Sequence, residues 1–467
     1  MSFDLARILA ERQGDKYSLH DKHLNAQLVR VLKTLGYDVN FARGEGPYLY
    51  DVAGRSYLDL LSGFGVFALG RNHPAVAAAL RQVLDAQLPG LVQLDVSLLA
   101  GVLAEKLLAR LPWLERVFFC NSGTEAVESA IKFARMATGR SKIVYCDHAF
   151  HGLTYGALSL NGNELFRKGF GPLLPDCVRV PFNDLPALEA ALKGGPGESK
   201  VAAFIVEPIQ GKGVALPDDD YLAEAARLCR RHEALFIADE IQTGVGRTGR
   251  FLACEHYNVE PDIVLLAKAL SGGCVPVGAV VLKNWIFAKL FDRMDRALVH
   301  GSTFAKNDLA MAAGIATLEV LEEEKLVEKA AAEGAALLAA LQGLAGRHEL
   351  LKDVRGKGLM IGLEFGPPKS LKLKAAWHLM DQARRGLFCQ LVLIPLLRDH
   401  RVLCQVSGDD NYIIKLLPAL AIGEEDRRWI VEAFDKVIGD CHQIGGAVWD
   451  LGRSLARHSL KAKAGAA

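Results

Sequence analysis

Three short, continuous apolar runs constrain the fold of this chain most strongly: VAAFIVEP (201–208), EALFIADE (233–240) and DIVLLAK (262–268), each closing on polar residues. A strand with one wet face alternates apolar and polar residues, so an unbroken run implies burial on both faces, as in a parallel sheet covered by helices. Between the first two runs, DDDYLAEAARLCRRHE sets Leu222, Ala225, Ala226 and Cys229 at helical spacing, which predicts a β-α-β unit. Ligands of such units gather beyond the carboxyl ends of the strands. Glu207, Asp239 and Lys268 all fall there.

Upstream, ERVFFC predicts a strand and NSGTEAVESAIKFARMATG a helix, because Val127, Ala130, Ile131 and Ala134 recur at i, i+3, i+4, i+7. Ser122 and Glu125 form an S-x-x-E capping box, and Gly139 is a stop signal. After about residue 308 the chain changes character. NDLAMAAGIATLEVLEEEKLVEKAAAEGAALLAALQGL predicts long helix, followed by strand-like GLMIGLEF and YIIKLLPALAI, the amphipathic EEDRRWIVEAFDKVIGDC and a tail, KAKAGAA, expected to fray.

A chain of 467 residues can bury a large core in two to three domain-sized units, and no internal repeat or low-complexity linker separates modules. With 55 Lys plus Arg against 54 Asp plus Glu, the charge balance excludes a general nucleic-acid or membrane-surface binder. The start, MSFDLARILAERQGDK, lacks the apolar core of a secretory signal, and LFCQLVLIPLL falls short of the ~20 residues that span a bilayer. Nine scattered cysteines without a C-x-x-C pair suit free thiols in a reducing compartment, so a cytoplasmic protein is expected.

Lys268 is an odd residue to close an apolar run just before Ser-Gly-Gly. In isolation it reads as an interior lysine snorkelling to the surface. At a ligand crevice, burial instead lowers the pKa of its amine, by up to ~3–5 units in extreme cases, and makes it a nucleophile toward aldehydes. Asp239, at the end of the neighbouring run, supplies the carboxylate that keeps a pyridine nitrogen protonated. Lysine plus aspartate is the protein signature of pyridoxal phosphate chemistry. Ser122-Gly123-Thr124 at a helix start offers backbone N–H groups, with hydroxyls adding donors, for the cofactor's phosphate.

Two motifs point elsewhere and fail on context. Cys146, His148 and His151 in CDHAFHG have metal-like spacing but no fourth ligand nearby, and Phe150 among them suits stacking on an aromatic cofactor, so no metal is expected. GVGRTG (244–249) matches G-x-G-x-x-G, yet EIQT separates it from its strand, no helix start follows, and the residue near the expected acidic position is Lys268.

These residues resemble the class III, ornithine-type aminotransferases, from GPYLYDVAGRSYLDLLSG to YIIKLLPALAI, with LFIADEIQTGVGRTGRFLACEHYNVEPDIVLLAKALSGG the most specific stretch. The resemblance implies fold type I: an α/β large domain with a mostly parallel central sheet (76–308), and a smaller α+β domain built from residues 1–75 and 309–467. It makes Lys268 the Schiff-base lysine and proton shuttle, and pairs Asp239 with the pyridinium nitrogen. Gln242 would bond the ring's phenolic oxygen, Phe150 and Ile241 would sandwich the ring, and Ser122, Gly123 and Thr124 would hold the phosphate. Glu207 would lie beside the cofactor. Thr303, in HGSTFAKN, would reach the phosphate of a partner subunit, which implies a homodimer.

Three departures bear on the substrate. Lys212 ends EPIQGK where ornithine-type members carry glutamate, Lys415 stands in YIIKLLPAL where they carry a carboxylate-binding arginine, and Phe64 replaces a tyrosine. Lysine is a point charge on a flexible stem, without arginine's two-donor fork. The expected activity is transfer of an amino group by ping-pong between a primary amine or amino acid and a carbonyl acceptor, on a substrate larger or less polar than ornithine. The alternatives are an acetylornithine, ornithine or 4-aminobutyrate substrate, and an epimerase or decarboxylase on the same scaffold. A nicotinamide oxidoreductase and a non-catalytic relative complete the set. The inserted FCQLVLIPLLRDHRVLCQVSGDD (388–410) either lines the entrance or packs.

Overall fold

Seven strands form the central sheet of the computed structural model, in the order Arg116–Cys120, Gly278–Leu282, Ile263–Leu266, Leu235–Asp239, Val201–Val206, Lys142–Cys146, Cys177–Val180. Only Gly278–Leu282 runs against its neighbours; the other ladders are parallel. Residues 3–92, 94–195, 199–443, 446, 449 and 452 are described, and the tail KAKAGAA lies outside them.

The apolar runs are continuous because each strand feeds two cores. Ala203 and Ile205 point into one core with Val127, Ala130, Ile131 and Ala134 of the helix Gly123–Thr138. Phe204 and Val206 point into the other, with Leu222, Ala225, Ala226 and Cys229 of the helix Tyr221–Arg231. Each large apolar side chain buried this way contributes ~1.5–3 kcal/mol, so a charge within a run is tolerated only where the strand ends.

Two smaller four-stranded sheets flank this one. Leu351–Lys357, Met360–Phe365, Ile413–Leu416 and Gln405–Ser407 form an antiparallel sheet. Phe41–Glu45, Tyr48–Asp51 and Ser56–Asp59 form another, closed by Val402–Leu403 in parallel with Ser56–Asp59, so segments from the two ends of the chain share one sheet. The long helix expected after residue 308 is two helices, Asp308–Glu323 and Leu326–Ala345, broken at Lys325 with φ 51°. Glu322, Glu323 and Glu324 stack carboxylates at a helix C-terminus, against the dipole, and Leu326 turns into the core. No helix among the described residues is long and apolar enough to cross a membrane.

Candidate active site

Asp239 ends the strand Leu235–Asp239, Lys268 follows the adjacent Ile263–Leu266 by two residues, and Glu207 follows Val201–Val206 on the other side. The parallel ladders bring all three to one edge of the sheet. Lys268 adopts φ 45°, a left-handed conformation that costs a residue with a Cβ ~1–3 kcal/mol. The turn sets Lys268 on the wall of a cavity of about 590 Å³, which Ser122, Gly123, Thr124, Phe150 and Ile241 also line. Burial draws the Lys268 pKa below its usual 10.5, against the opposing pull of Asp239 and Glu207.

Asp239 is held by a residue that the sequence suggested only as a metal ligand. His151 Nδ1 lies 2.6 Å from Asp239 Oδ2, with neither side chain more than 3% exposed, while Asp239 Oδ1 accepts from the Ile241 N–H at 3.1 Å. Burial opposes a charge on His151, but the hydrogen bond and the charges of Asp239 and Glu207 outweigh it and raise the histidine pKa. His151 Nε2 is buried without a partner. Glu207 is a clip between two loops: Oε1 accepts from Phe150 N at 2.9 Å and Oε2 from Gly211 N at 2.8 Å. Glu207 is absent from the cavity wall and acts on it through Phe150.

The anion cradle stands at the start of the helix Gly123–Thr138. Ser122 Oγ accepts from Glu125 N at 3.3 Å, and Glu125 Oε2 accepts from Asn121 N at 2.5 Å, so the box closes one residue further out than predicted. The first-turn N–H groups of Gly123 and Thr124 have no carbonyl four residues back inside the helix and border the cavity. A Cβ on Gly123 would lie 2.9 Å from Ile241 Cγ2, and one on Gly152, at φ 131°, 2.3 Å from Thr124 Oγ1. These glycines make room where backbone and ring have to come close.

The Thr124 hydroxyl has less to give than the sequence implied. Thr154 Oγ1 donates to Glu128 Oε1 at 2.5 Å and lies 2.7 Å from Thr124 Oγ1. A carboxylate only accepts, so Thr154's single proton goes to Glu128 and Thr124's goes to Thr154. The backbone N–H is what Thr124 offers the cavity. A free amine, an anion cradle and a carboxylate near one cavity of this size fit pyridoxal phosphate.

The remaining candidates surround this centre. Gln242 Nε2 donates to the Phe64 carbonyl at 3.0 Å, and its Oε1 accepts from Lys415 Nζ at 3.0 Å. Phe64 itself is exposed, at φ 63°. Lys212 Nζ sits 4.4 Å from the centre of the Phe166 ring, its pKa lowered by burial. Thr303 is exposed and does not line the cavity, though the neighbouring Ser302 Oγ accepts at 2.7 Å from Nδ2 of Asn121, which does. The 388–410 segment packs, and none of its residues lines the cavity. The helix Leu387–Arg398 is buried against neighbouring helices, whereas Ser407 accepts from Gly213 N at 2.9 Å and Asp409 pairs with His148 beside the site.

The two misleading motifs resolve into structural parts. Cys146 faces the Tyr221 hydroxyl, His148 faces Asp409 and His151 faces Asp239, and no metal-ligating cluster occurs among the described residues. GVGRTG is a run of turns whose buried Arg247 donates to the carbonyls of Leu359 and Pro418.

A family model described as aminotransferase class-III matches residues 33–438. The aminotransferase PigE of a Serratia species is 34% identical over 456 residues, covering 91% of this chain and 53% of that protein, so the chain spans about half the length of this relative. The ornithine aminotransferase of Toxoplasma gondii ME49 superposes with a TM-score of 0.79 at 30% identity, over 94% of this chain and 99% of that one. An amine transaminase from an uncultivated Pseudomonas species, solved in its PLP-bound form, gives 0.73 at 30% identity, over 86% of this chain and 94% of that one. With the family's pattern running through most of its length and the parallel sheet that carries the site, the chain belongs to the class-III aminotransferases, which work with pyridoxal phosphate.

Proposed function

We propose that this protein is a pyridoxal-phosphate aminotransferase that moves an amino group between a primary amine or amino acid and a carbonyl acceptor in two half-reactions. The observation that carries the reading is Lys268, a buried amine with a lowered pKa, on a cavity wall at the same sheet edge as the His151-paired carboxylate of Asp239. The N–H groups of Gly123 and Thr124 at the start of the cradle helix, after Ser122, would hold the cofactor's phosphate, with Phe150 and Ile241 against the ring faces and Gln242 at the phenolic oxygen. Bound there, the cofactor supplies an electron sink for charge that develops on the substrate's reacting carbon.

The chain's own residues account for the rest. Lys268 Nζ, whose charged form burial disfavours, takes the proton from the reacting carbon and returns it. Asp239, hydrogen-bonded to His151, would pair with the ring nitrogen and favour its positive charge. Glu207 fixes the Phe150 loop. Thr303, exposed and not on the wall of its own cavity, would complete the phosphate site of a second copy, which would make the working unit a homodimer. A large domain (76–308) would hold the seven-stranded sheet and a small one (1–75 with 309–467) the two four-stranded sheets, and nine free cysteines suit the cytoplasm.

Relatives named for ornithine and for amines mark the range of donors. Val66, Leu153, Val275 and Val277 on the cavity wall favour a donor less polar than ornithine. The test is to mix the holoenzyme with a panel of amines and α-amino acids and follow the absorbance of the bound aldehyde cofactor. At least one donor is expected to remove that absorbance, and a carbonyl acceptor to restore it. A panel in which no donor does so refutes transamination.

A further inference from the structure

Lys415 stands where the family resemblance expects a grip on a substrate carboxylate, yet its contacts are spent inside the protein. On the strand Ile413–Leu416 and only 6% exposed, its Nζ donates to the Gly211 carbonyl at 2.6 Å and to Gln242 Oε1 at 3.0 Å. Across the same amide, Gln242 Nε2 donates to the Phe64 carbonyl at 3.0 Å. A substrate carboxylate would have only the third N–H of a charged Lys415 to meet, on a nearly inaccessible amine.

The two ends of a glutamine amide have nearly the same shape, and only their partners tell them apart. Here the partners are unambiguous. The Phe64 carbonyl accepts and never donates, so it demands the nitrogen end, and a charged Lys415 donates and never accepts, so it demands the oxygen end. Burial, together with the charges of Lys268 and Lys212, draws the Lys415 pKa to about 7, and even the neutral amine keeps N–H groups for both of its acceptors. Gly211 leaves room for this seating: a Cβ there would lie 2.6 Å from Gln242 Oε1. With one N–H of Gln242 committed to Phe64, the second remains for the cofactor.

We propose that Lys415 is a positioning residue, which fixes the Gln242 amide with its nitrogen toward Phe64 and the cofactor ring, and that it is not a receptor for substrate carboxylate. The inference rests on the aminotransferase reading of this site, through the cofactor contact of Gln242.

The test is a double-mutant cycle of Lys415→Met and Gln242→Ala, read as the dissociation constant of pyridoxal phosphate titrated into apoprotein and as the spectrum of the bound cofactor. Lys415→Met is expected to shift the spectrum and weaken cofactor binding about tenfold, the worth of one hydrogen bond to a charged oxygen. It should lower kcat equally for donors with and without a carboxylate. In the Gln242→Ala background it should add nothing to the loss of binding, and Lys415→Arg, which also only donates, should keep cofactor affinity within about twofold of wild type. Two results overturn the proposal: an unchanged spectrum and affinity with KM raised for carboxylate donors alone, or an effect on cofactor binding that persists undiminished without Gln242. If the methionine variant does not fold, the arginine variant decides, a shifted spectrum in folded protein counting against the proposal. Wild-type protein that binds the cofactor but transfers no amino group fails the reading of function, while the binding cycle still decides the role of Lys415.

Discussion

Replacing His151 by asparagine tests whether the histidine beside Asp239 carries a charge. The asparagine amide can stand near the position of the histidine Nδ1 and still donate to Asp239 Oδ2, now 2.6 Å from the ring, but it carries no charge. A hydrogen bond to a charged group is worth ~1.5–3 kcal/mol, so going from a pair with both partners charged to one with only the carboxylate charged should cost at most about 1.5 kcal/mol, roughly tenfold in the folding equilibrium. The smaller side chain adds a cavity cost that does not vary with pH. The folded-state pKa of His151 is raised above its unfolded value near 6.5. Its stabilisation is therefore fully present below about pH 6.5 and is lost as pH rises through the folded value. Urea unfolding of both apoproteins from pH 5.5 to 9 should show the difference between wild type and variant greatest at the acid end, shrinking with pH to the cavity cost. A difference that stays constant, or grows with pH, refutes a charged His151–Asp239 pair.

Two further outcomes follow from the same geometry. Gly123→Ala puts a Cβ 2.9 Å from Ile241 Cγ2, so Ile241 should yield into the cavity. Overpacking of ~1–3 kcal/mol is offset in part by the ~0.5–1 kcal/mol that alanine returns to a helix, so Tm should move little while cofactor affinity falls; unchanged affinity contradicts the cradle. Lys268→Met should abolish amino transfer yet stabilise the apoprotein at pH 7. The lysine's folded pKa is lowered, so its burial costs stability below the usual range near 10.5, and the advantage of methionine in urea should shrink as pH approaches that value. A less stable methionine variant at pH 7 counts against an amine held at such a cost.

The crevice was legible because three strands buried on both faces leave polar residues only at their ends, and parallel pairing puts those ends together. Asp239, Lys268 and Glu207 were found in this way, as was the helix start at Ser122–Thr124. The role of His151 was not legible. It stands 88 residues from Asp239, and its spacing from Cys146 and His148 suggested a metal. The clue lay in its position, one residue after Phe150 in the loop that follows the strand Lys142–Cys146, on the edge where the neighbouring strands end. Glu207 was placed at the strand end where it stands, and only the structure shows its oxygens accepting from Phe150 and Gly211.

Taken by itself, the sequence determined the sheet and the chemistry, because burial on both faces writes a continuous apolar run and a lysine paired with a carboxylate at the strand ends suits few cofactors. Tertiary structure alone decided which polar groups are spent on one another. Thr124 gives its proton to Thr154, and Lys415 gives its hydrogens to Gly211 and Gln242. Donors and acceptors are satisfied by whatever the fold brings within 3 Å, 30 to 204 residues away in these cases, and local pattern carries no record of such distances.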